Sequence, residues 1–437
     1  MTNKNIITYG CRLNIYESEV MQKHMDEAGL KNCILFNSCS VTNEAKKKVI
    51  NDIKKTKKIS PQKKIIVTGC ASQIDSEFFT NMTEVDHVIG NKEKMELNTY
   101  LSLKNSQIKN KISDIMKLES IAPQFIESFN NHSRAFIQIQ NGCDHRCTFC
   151  TIPFGRGNSR SLPIEKIVEQ INILNEKGFN EIILTGVDLT SYGPDLGKNI
   201  NLGVLVQNIL KKNKNLERLR LSSIDSIEID DLLFDIISSE KKIMPHFHLS
   251  MQSGDNMILK RMKRRHQREH AIDFCSKLKS VRPEVIFGAD LIAGFPTETE
   301  EMFHNTLKII DECDLTLLHI FPFSPMQKTP AAKMPQVARN IIKERAKILR
   351  EKGQLKIKNK FKDTVGQKLN VLTEKDSFGY SENYLKVKIT GNRKVYEGQI
   401  IPVYTTGYSQ SYLKATIYLN GFFKKNIRWA QKDLRKF

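Results

Sequence analysis

The chain has 437 residues, of which 40% are hydrophobic, and a formal net charge of +20. At about 100 to 200 residues per domain, this length predicts two to four domains with hydrophobic cores and excludes a largely disordered protein. The apolar runs stop short of the roughly 18 consecutive residues that a membrane span needs, and the start lacks the apolar stretch of a signal peptide. We therefore expect a soluble cytoplasmic protein whose nine cysteines serve metal or redox chemistry rather than disulfide bonds.

The positive charge is concentrated towards the C-terminus. Residues 333–437 contain 24 Lys and Arg against 8 Asp and Glu, whereas residues 1–332 contain 44 against 40. This asymmetry predicts an anionic polymer as partner, because every phosphate that the protein neutralises releases counterions. A basic surface that only keeps the protein soluble is the alternative.

In chain order, the pattern predicts an α/β protein with five segments. Residues 1–104 alternate strands and helices and predict a parallel α/β domain, and the polar residues 105–131 predict a linker. Six further strand and helix units in residues 132–335 predict a partial (β/α)6 barrel, whose ligands collect at the C-terminal strand ends. A basic helix at 336–361 connects it to residues 362–437, where short alternating runs and Gly and Asn turns predict a small all-β barrel.

Three cysteines, Cys143, Cys147 and Cys150, lie in the segment "NGCDHRCTFC" directly after the first predicted barrel strand. Three thiolates can hold three irons of a [4Fe–4S] cluster and leave the fourth iron open to another ligand. A zinc site that His145 joins is the alternative, although structural zinc loops usually bring a fourth ligand at comparable spacing.

A second group, Cys11, Cys39 and Cys70, stands at the C-terminal ends of three predicted parallel strands. Their separations match one strand–helix–strand repeat each, and helical crossovers bring such strand ends to one edge of a sheet. Three thiolates at one edge predict a second cluster site with one open iron. Three inert buried cysteines are the alternative, since cysteine is common in α/β cores.

The motifs resemble the radical S-adenosylmethionine methylthiotransferase family over nearly the whole chain. "NGCDHRCTFCTIPFGRGNSRS" resembles the radical loop, "TYGCRLN", "NSCSVT" and "VTGC" resemble the N-terminal domain, and the β tail resembles the RNA-binding TRAM module. The resemblance implies two [4Fe–4S] clusters, S-adenosylmethionine, a tRNA substrate and a one-electron donor such as a flavodoxin or ferredoxin. It also implies that the first cluster cleaves S-adenosylmethionine, because abstraction of hydrogen from an aromatic carbon is beyond any side chain.

Within that family, "GCRLN", "CDHRCTFC" and "LTGVDLTSYG" are most similar to the branch that methylthiolates C2 of N6-threonylcarbamoyladenosine next to the anticodon. The branch that acts on isopentenyladenosine usually has Gln-Met after its first cysteine, which this chain lacks. A third branch acts on an aspartate of a ribosomal protein. A non-catalytic RNA-binding protein with structural zinc is the alternative from another class.

Residues just beyond the predicted barrel strands are candidates for binding the cofactor. Gly186 and Asp188 follow the second barrel strand, where a close backbone approach and an acceptor for the cofactor's ammonium group are expected. Ser222, Gln252 and Asp290 are placed just beyond other strand ends. Each of these residues would also suit a simple cap or turn.

Three cations are candidates for binding the substrate, because a threonylcarbamoyl group carries a carboxylate that needs a partner when buried. Arg156 and Arg160 lie in "GRGNSRS", and Lys328 lies in a loop where the family tends to have other residues. Either arginine could instead pair only with acidic neighbours. The basic run 260–266, "KRMKRRH", predicts a solvated turn that could also meet the tRNA backbone.

Overall fold

The structure, a computed structural model, describes residues 5–104, 108–127, 129, 132–391 and 393–418. Two parallel α/β parts are followed by a small closed β barrel, so the predicted fold class is confirmed. Residues 419–437 of the predicted C-terminal domain lie outside the described residues. Among the described residues, no helix is both long enough and apolar enough to cross a membrane.

The N-terminal part is a five-stranded parallel sheet with buried side chains packed on both faces. Its elements are β1 (Ile6–Thr8), α1 (Arg12–Glu27), β2 (Cys33–Ser38), α2 (Asn43–Ile59), β3 (Lys64–Gly69), α3 (Cys70–Ile74), α4 (Ser76–Thr80), β4 (His87–Ile89), α5 (Leu97–Leu103) and β5 (Asn110–Lys111). The strands lie side by side in chain order. Strand β5 falls in the segment predicted as a linker, so part of that segment completes the sheet.

The central part contains the six predicted barrel strands, β6, β9, β10, β12, β13 and β14, with the short strand β11 after β10. Its elements are β6 (Ala135–Gln138), β7 (Gln140–Asn141), α6 (Ile152–Arg156), β8 (Arg160–Ser161), α7 (Ile164–Glu176), β9 (Glu181–Thr185), α8 (Leu202–Lys212), β10 (Arg218–Leu221), β11 (Ser223–Ile224), α9 (Asp231–Ser239), β12 (His246–Gln252), α10 (Asn256–Arg261), α11 (Arg268–Val281), β13 (Ile286–Ala293), α12 (Glu300–Glu312) and β14 (Leu315–Pro322). The paired strands form two parallel sheets, ordered β10-β9-β6 and β11-β12-β13-β14. In the described part of the chain β6 and β14 do not pair with each other, so the barrel is partial.

A long helix, α13 (Arg339–Thr364), connects the partial barrel to the closed β barrel, which has the strand order β15-β16-β17-β19-β18. The strands are β15 (Lys368–Thr373), β16 (Phe378–Ser381), β17 (Lys386–Thr390), β18 (Ile400–Tyr408) and β19 (Leu413–Ile417). Buried side chains of this barrel share one core with Ile286 at the start of β13. The small barrel is therefore packed onto the N-terminal ends of the larger one.

A buried cluster of charges joins the two barrels. Glu181 at the start of β9 is fully buried and pairs with Arg220 at 3.1 Å, Arg134 at 3.5 Å and Arg218 at 3.5 Å. Burial opposes ionisation of Glu181, but the arginines outweigh it and lower its pKa to about 2. From the small barrel, Tyr384 covers Arg220, whose guanidinium carbon lies 4.8 Å from the ring centroid.

We predict that Glu181→Gln lowers the free energy of unfolding by about 3 to 5 kcal/mol, because it removes the carboxylate that Arg218 and Arg220 pair with and leaves Arg134 with Glu374 alone. Urea unfolding of the iron-free protein measures the change. The matched control is Glu169→Gln on α7, whose exposed pair with Lys166 should contribute less than about 1 kcal/mol. Equal midpoints for the two variants would contradict the prediction.

Candidate metal centres and cofactor site

The first three cysteines lie in the loop between β7 and α6. Strands β7 and β8 pair antiparallel and hold the two ends of this segment together. The Cys143 thiol lies 3.5 Å from Asp188, and Cys150 accepts a hydrogen bond from the backbone N–H of Ile152 at 3.4 Å. Burial, followed by the charges of Asp188 and of the two other cysteines, raises the pKa of Cys143. The three sulfur atoms are thus close enough to influence one another.

The second three cysteines also come together, at the C-terminal edge of the N-terminal sheet. Cys39 follows β2 and Cys70 follows β3, and both are buried, whereas Cys11 at the start of α1 is exposed. Burial is the main cause that raises the pKa of Cys39 to about 12, and the charges of Cys70 and Cys11 add to it. A metal ion would have to displace these thiol protons on binding, as it does at thiolate sites generally.

Glycines immediately before three of the cysteines allow this crowding. Gly10, Gly69 and Gly142 all have positive φ, at 85°, 98° and 77°. A Cβ atom at position 10 would lie 2.7 Å from Cys39 Sγ, and one at position 142 would lie 1.8 Å from the Asn158 carbonyl oxygen. Residues with a side chain rarely adopt this conformation and would not fit here, so each Gly-Cys pair is a structural requirement.

The two cysteine groups face each other across the interface of the α/β part and the partial barrel. Thr151, next to Cys150, donates a hydrogen bond to the Ser40 carbonyl oxygen at 3.3 Å. A Cβ atom at Gly155 would lie 3.3 Å from Cys70 Cβ. The charge of Cys70 is one of the influences that, after burial, raise the pKa of Cys150 to about 12.

A buried ion network lies beside the second group. Arg156 Nε donates to Cys70 Sγ at 3.1 Å, and its two terminal nitrogens donate to both oxygens of Glu17. Lys94 donates to the same carboxylate at 2.7 Å, and all three side chains are at most 1% exposed. Two cations against one carboxylate leave one positive charge next to the cysteines. The role of Arg156 in substrate binding stays a prediction, and sequence reasoning missed Glu17 and Lys94.

The basic run 260–266 is not wholly a solvated turn, and the prediction was wrong for Met262, which is fully buried, and for two of its charged residues. The side chains of Arg264 and His266 are 9% and 2% exposed, and both pair with Asp225. Arg264 also lies 3.7 Å from Cys147 Sγ, to which it donates. Thr148 in the cysteine loop holds the run in place, because its backbone N–H donates to the Met262 carbonyl oxygen at 3.0 Å and its hydroxyl donates to the Arg261 carbonyl oxygen at 2.9 Å.

Three of the residues predicted to bind the cofactor lie at the barrel mouth. Asp188 accepts from Ser191 Oγ at 2.8 Å and contacts His145 Nε2 at 2.9 Å. Burial opposes ionisation, but these hydrogen bonds lower the pKa of Asp188. Gly186 lies two positions before Asp188, and a Cβ atom at position 186 would lie 2.9 Å from Gln140 Oε1. Ser222 follows β10 and is buried.

The other two candidates sit differently from the prediction. Gln252 is the last residue of β12 and has φ of 67°, and Asp290 lies inside β13 rather than beyond its end. Both line a cavity of about 170 Å³, here called the barrel cavity. Asp290 also accepts hydrogen bonds from His248 and His319. All five roles in cofactor binding stay predictions.

The three cations predicted to bind the substrate, Arg156, Arg160 and Lys328, line two further cavities. Lys328, at φ of 73°, donates to the Ile74 carbonyl oxygen at 3.5 Å and lines a cavity of about 300 Å³, here called the loop cavity. Met326 lines both the barrel cavity and the loop cavity. Arg160 is buried, donates to two backbone carbonyl oxygens and lines a third cavity of about 340 Å³ together with Arg156.

The geometry alone allows either an iron–sulfur cluster or a zinc ion at the first site. The ligand atoms of Cys143, His145 and Asp188 all lie within 4.8 Å of one another, which would also suit zinc. His145 is, however, already held between Asp188 and Glu228 at 2.9 and 3.2 Å. Three thiols on one short loop remain the better match to an iron–sulfur cluster.

Comparison with known proteins agrees with the cluster interpretation. Residues 137–310 match the Radical SAM superfamily, and residues 3–90 match Uncharacterized protein family UPF0004. The chain is 50% identical over 414 residues to threonylcarbamoyladenosine tRNA methylthiotransferase MtaB of Rickettsia prowazekii (strain Madrid E), covering 95% of this chain and 97% of the relative. It is 34% identical over 370 residues to tRNA-2-methylthio-N(6)-dimethylallyladenosine synthase of Ehrlichia canis (strain Jake), covering 79% and 83%.

A solved structure shares the fold. The radical S-adenosylmethionine methyltransferase TsrM from Kitasatospora setae has a TM-score of 0.51 at 12% identity, covering 72% of this chain and 68% of that chain. Membership of the Radical SAM superfamily implies S-adenosylmethionine and one [4Fe–4S] cluster as cofactors. By its sequence identity and its radical loop, the chain belongs to the radical S-adenosylmethionine methylthiotransferase family, in the threonylcarbamoyladenosine tRNA branch.

Proposed function

We propose that the protein inserts a methylthio group at C2 of N6-threonylcarbamoyladenosine next to the anticodon of tRNA. The observation that carries the proposal is the pair of cysteine groups facing each other, because Thr151 and Ser40 join their two loops directly. The 50% identical relative, whose name states this activity, supports the substrate. A tRNA substrate also agrees with a cytoplasmic location.

At the first site, Cys143, Cys147 and Cys150 hold the [4Fe–4S] cluster. With S-adenosylmethionine bound, the cluster supplies the radical chemistry that removes hydrogen from an aromatic carbon. Arg264 donates to Cys147 Sγ and places a positive charge beside the thiolates. Asp188, kept ionised by its hydrogen bonds, offers an acceptor for the cofactor's ammonium group.

At the second site, Cys11, Cys39 and Cys70 would hold a second [4Fe–4S] cluster, which would carry the sulfur that is transferred. The fit rests on three thiols at one sheet edge and on glycine at position 10, where a Cβ would crowd Cys39 Sγ. Arg156 donates to Cys70, and the net positive charge that it and Lys94 leave beside Glu17 offsets the negative charge of thiolate ligands.

The substrate base occupies the barrel cavity, and its threonylcarbamoyl group extends into the loop cavity. Phe149 precedes Cys150, and Val41 follows Cys39 by two positions, so the barrel cavity of about 170 Å³ opens between the two cysteine groups. In the loop cavity, Lys46 pairs with Asp75, whereas the hydrogen bond of Lys328 within the described part of the chain is a long one to the Ile74 carbonyl oxygen. Lys328 is therefore the cation available to the substrate carboxylate.

The tRNA backbone and unpaired bases contact one face of the small β barrel. Phe378 on β16 packs edge-on against Tyr412 at 5.3 Å, and Lys386 and Lys388 lie 4.7 and 5.1 Å from the Phe378 ring centroid. Aromatic rings next to lysines bind single-stranded nucleic acid by stacking and charge. A one-electron donor such as a flavodoxin or ferredoxin supplies the electron.

We predict that the two cysteine groups are separable by substitution. Replacing Cys143, Cys147 and Cys150 with Ala should abolish cleavage of S-adenosylmethionine, whereas replacing Cys11, Cys39 and Cys70 should leave cleavage intact and abolish methylthiolation. Iron should fall by about half in either variant, because each group holds one of two equal clusters. Cys33→Ala is the control, since this buried cysteine belongs to neither group and should retain all iron.

For these variants, anaerobic purification, iron and sulfide analysis and a cleavage assay give independent readings. Unchanged iron after loss of Cys11, Cys39 and Cys70 would return those residues to a structural role. Zinc in place of iron, in a colourless protein, would favour a non-catalytic RNA-binding protein.

Lys328→Ala should lower kcat/KM for threonylcarbamoyladenosine tRNA by about tenfold to a hundredfold, as expected for a charged hydrogen bond of about 1.5 to 3 kcal/mol. Lys328→Arg should retain most of the activity. Cleavage of S-adenosylmethionine without tRNA should not change, and Lys277→Ala on the exposed face of α11 serves as the matched control. An unaffected kcat/KM would show that the substrate carboxylate is not bound in the loop cavity.

The proposed substrate is tested by competition. Reconstituted enzyme receives tRNA bearing threonylcarbamoyladenosine and tRNA bearing isopentenyladenosine in equal amounts, and mass spectrometry of the nucleosides measures which one gains the methylthio group. We expect the threonylcarbamoyl form to react preferentially. Preferential reaction of isopentenyladenosine, or of a ribosomal protein aspartate supplied separately, would refute the branch while leaving the radical chemistry in place.

A further inference from the structure

A second polar cluster lies inside the partial barrel and contains no cysteine. His248 on β12, Asp290 on β13 and His319 on β14 belong to three adjacent strands, and Asp290 is the register partner of His319. Alternate residues of β12 and β13, such as Phe247 and Ala289, pack in the core beneath the outer helices. Since side chains alternate between the faces of a strand, the three polar side chains point into the barrel interior.

The three side chains converge on one point. His248 Nε2 lies 2.9 Å from Asp290 Oδ1, and His319 Nδ1 lies 3.1 Å from the same oxygen. One ligand atom from each residue lies within 4.8 Å of the other two. At a tetrahedral zinc ion with bonds of about 2.0 to 2.2 Å, two ligand atoms lie about 3.3 to 3.6 Å apart. The two histidine nitrogens would therefore have to move away from the carboxylate oxygen by less than about 1 Å to share an ion with it.

The backbone is built around this cluster. A Cβ atom at Gly288, the register partner of His248, would lie 2.6 Å from His248 Nδ1. Only glycine therefore lets the imidazole lie across β13. The side chains of His248 and Asp290 are 10% and 27% exposed, and that of His319 is 65% exposed, so the cluster is closed on the strand side and open towards the interior.

The charge balance also favours a cation. Both ion pairs of Asp290 in the described part of the chain are with histidine, and neither lysine nor arginine pairs with it there. A charged group inside a protein is costly unless it is paired or binds a metal ion.

We propose that His248, Asp290 and His319 bind one divalent transition-metal ion, zinc or ferrous iron, in addition to the cysteine sites. Two imidazoles and one carboxylate are a donor set that such ions accept. Three protein ligands leave at least one coordination position open to water or to an oxygen donor in the barrel cavity, which Asp290 also lines. This proposal stands independently of the substrate assignment.

The test uses Co²⁺ as the probe, because its visible absorption reports the ligand set. Reconstituted protein with both clusters is incubated with Co²⁺, desalted and analysed for cobalt and iron. We expect about one cobalt per chain above the cluster iron, and unchanged iron. His319→Ala, at an exposed position that tolerates truncation, should lose the cobalt and its absorption while keeping the iron.

Two further variants make the result specific. Asp290→Asn preserves a hydrogen-bonding group but removes the charge, and it should weaken cobalt binding at least tenfold. His304→Ala is the control, because His304 lies exposed on α12 and pairs only with Glu300. Cobalt retained equally by wild type and His319→Ala, or by neither, would overturn the proposal and identify the cluster as a hydrogen-bonded network that positions Asp290.

Discussion

The contact of Arg156 with Glu17 joins the two parts of the protein that carry the two cysteine groups. Glu17 lies on α1, the first helix of the N-terminal part, and Arg156 lies on α6, the short helix that follows Cys150. Both side chains are 1% exposed, and Arg156 extends past the carboxylate to Cys70. A buried ion pair of this kind is strongly destabilised when one partner is lost, so the spacing of the two cysteine groups depends on it.

Much of this arrangement follows from local rules. Strand ends in a parallel sheet meet at one edge, and this is why the positions of Cys11, Cys39 and Cys70 could be predicted from sequence spacing alone. The radical loop could be predicted because its three cysteines are close in the chain. Strand β5 escaped prediction because both of its residues are polar and carry no apolar pattern. Strand β4 is as short as β1, but it lacks the Gly-Cys sequence found near the ends of β1 and β3.

The remaining features depend on contacts between distant segments, which leave no periodic signal. Arg156 and Glu17 are 139 positions apart, and either residue alone is an ordinary charged side chain in a helix. Arg264 looked like part of a solvated basic run, yet the fold turns it back to Asp225 and Cys147. Asp290 lies within β13 and not beyond its end, because a charged residue in an apolar run can belong to a strand whose two faces have different surroundings.

The small β barrel contacts both of the α/β parts. Tyr384 of that barrel stacks on His246 at 4.9 Å and accepts a hydrogen bond from Arg12, the residue after Cys11, at 3.3 Å. Together with the buried Glu181 cluster, this contact holds the small β barrel against the two α/β parts, so that it does not hang from α13 as a domain on a flexible tether would. The aromatic face around Phe378 and Tyr412 therefore keeps a constant distance to the barrel cavity.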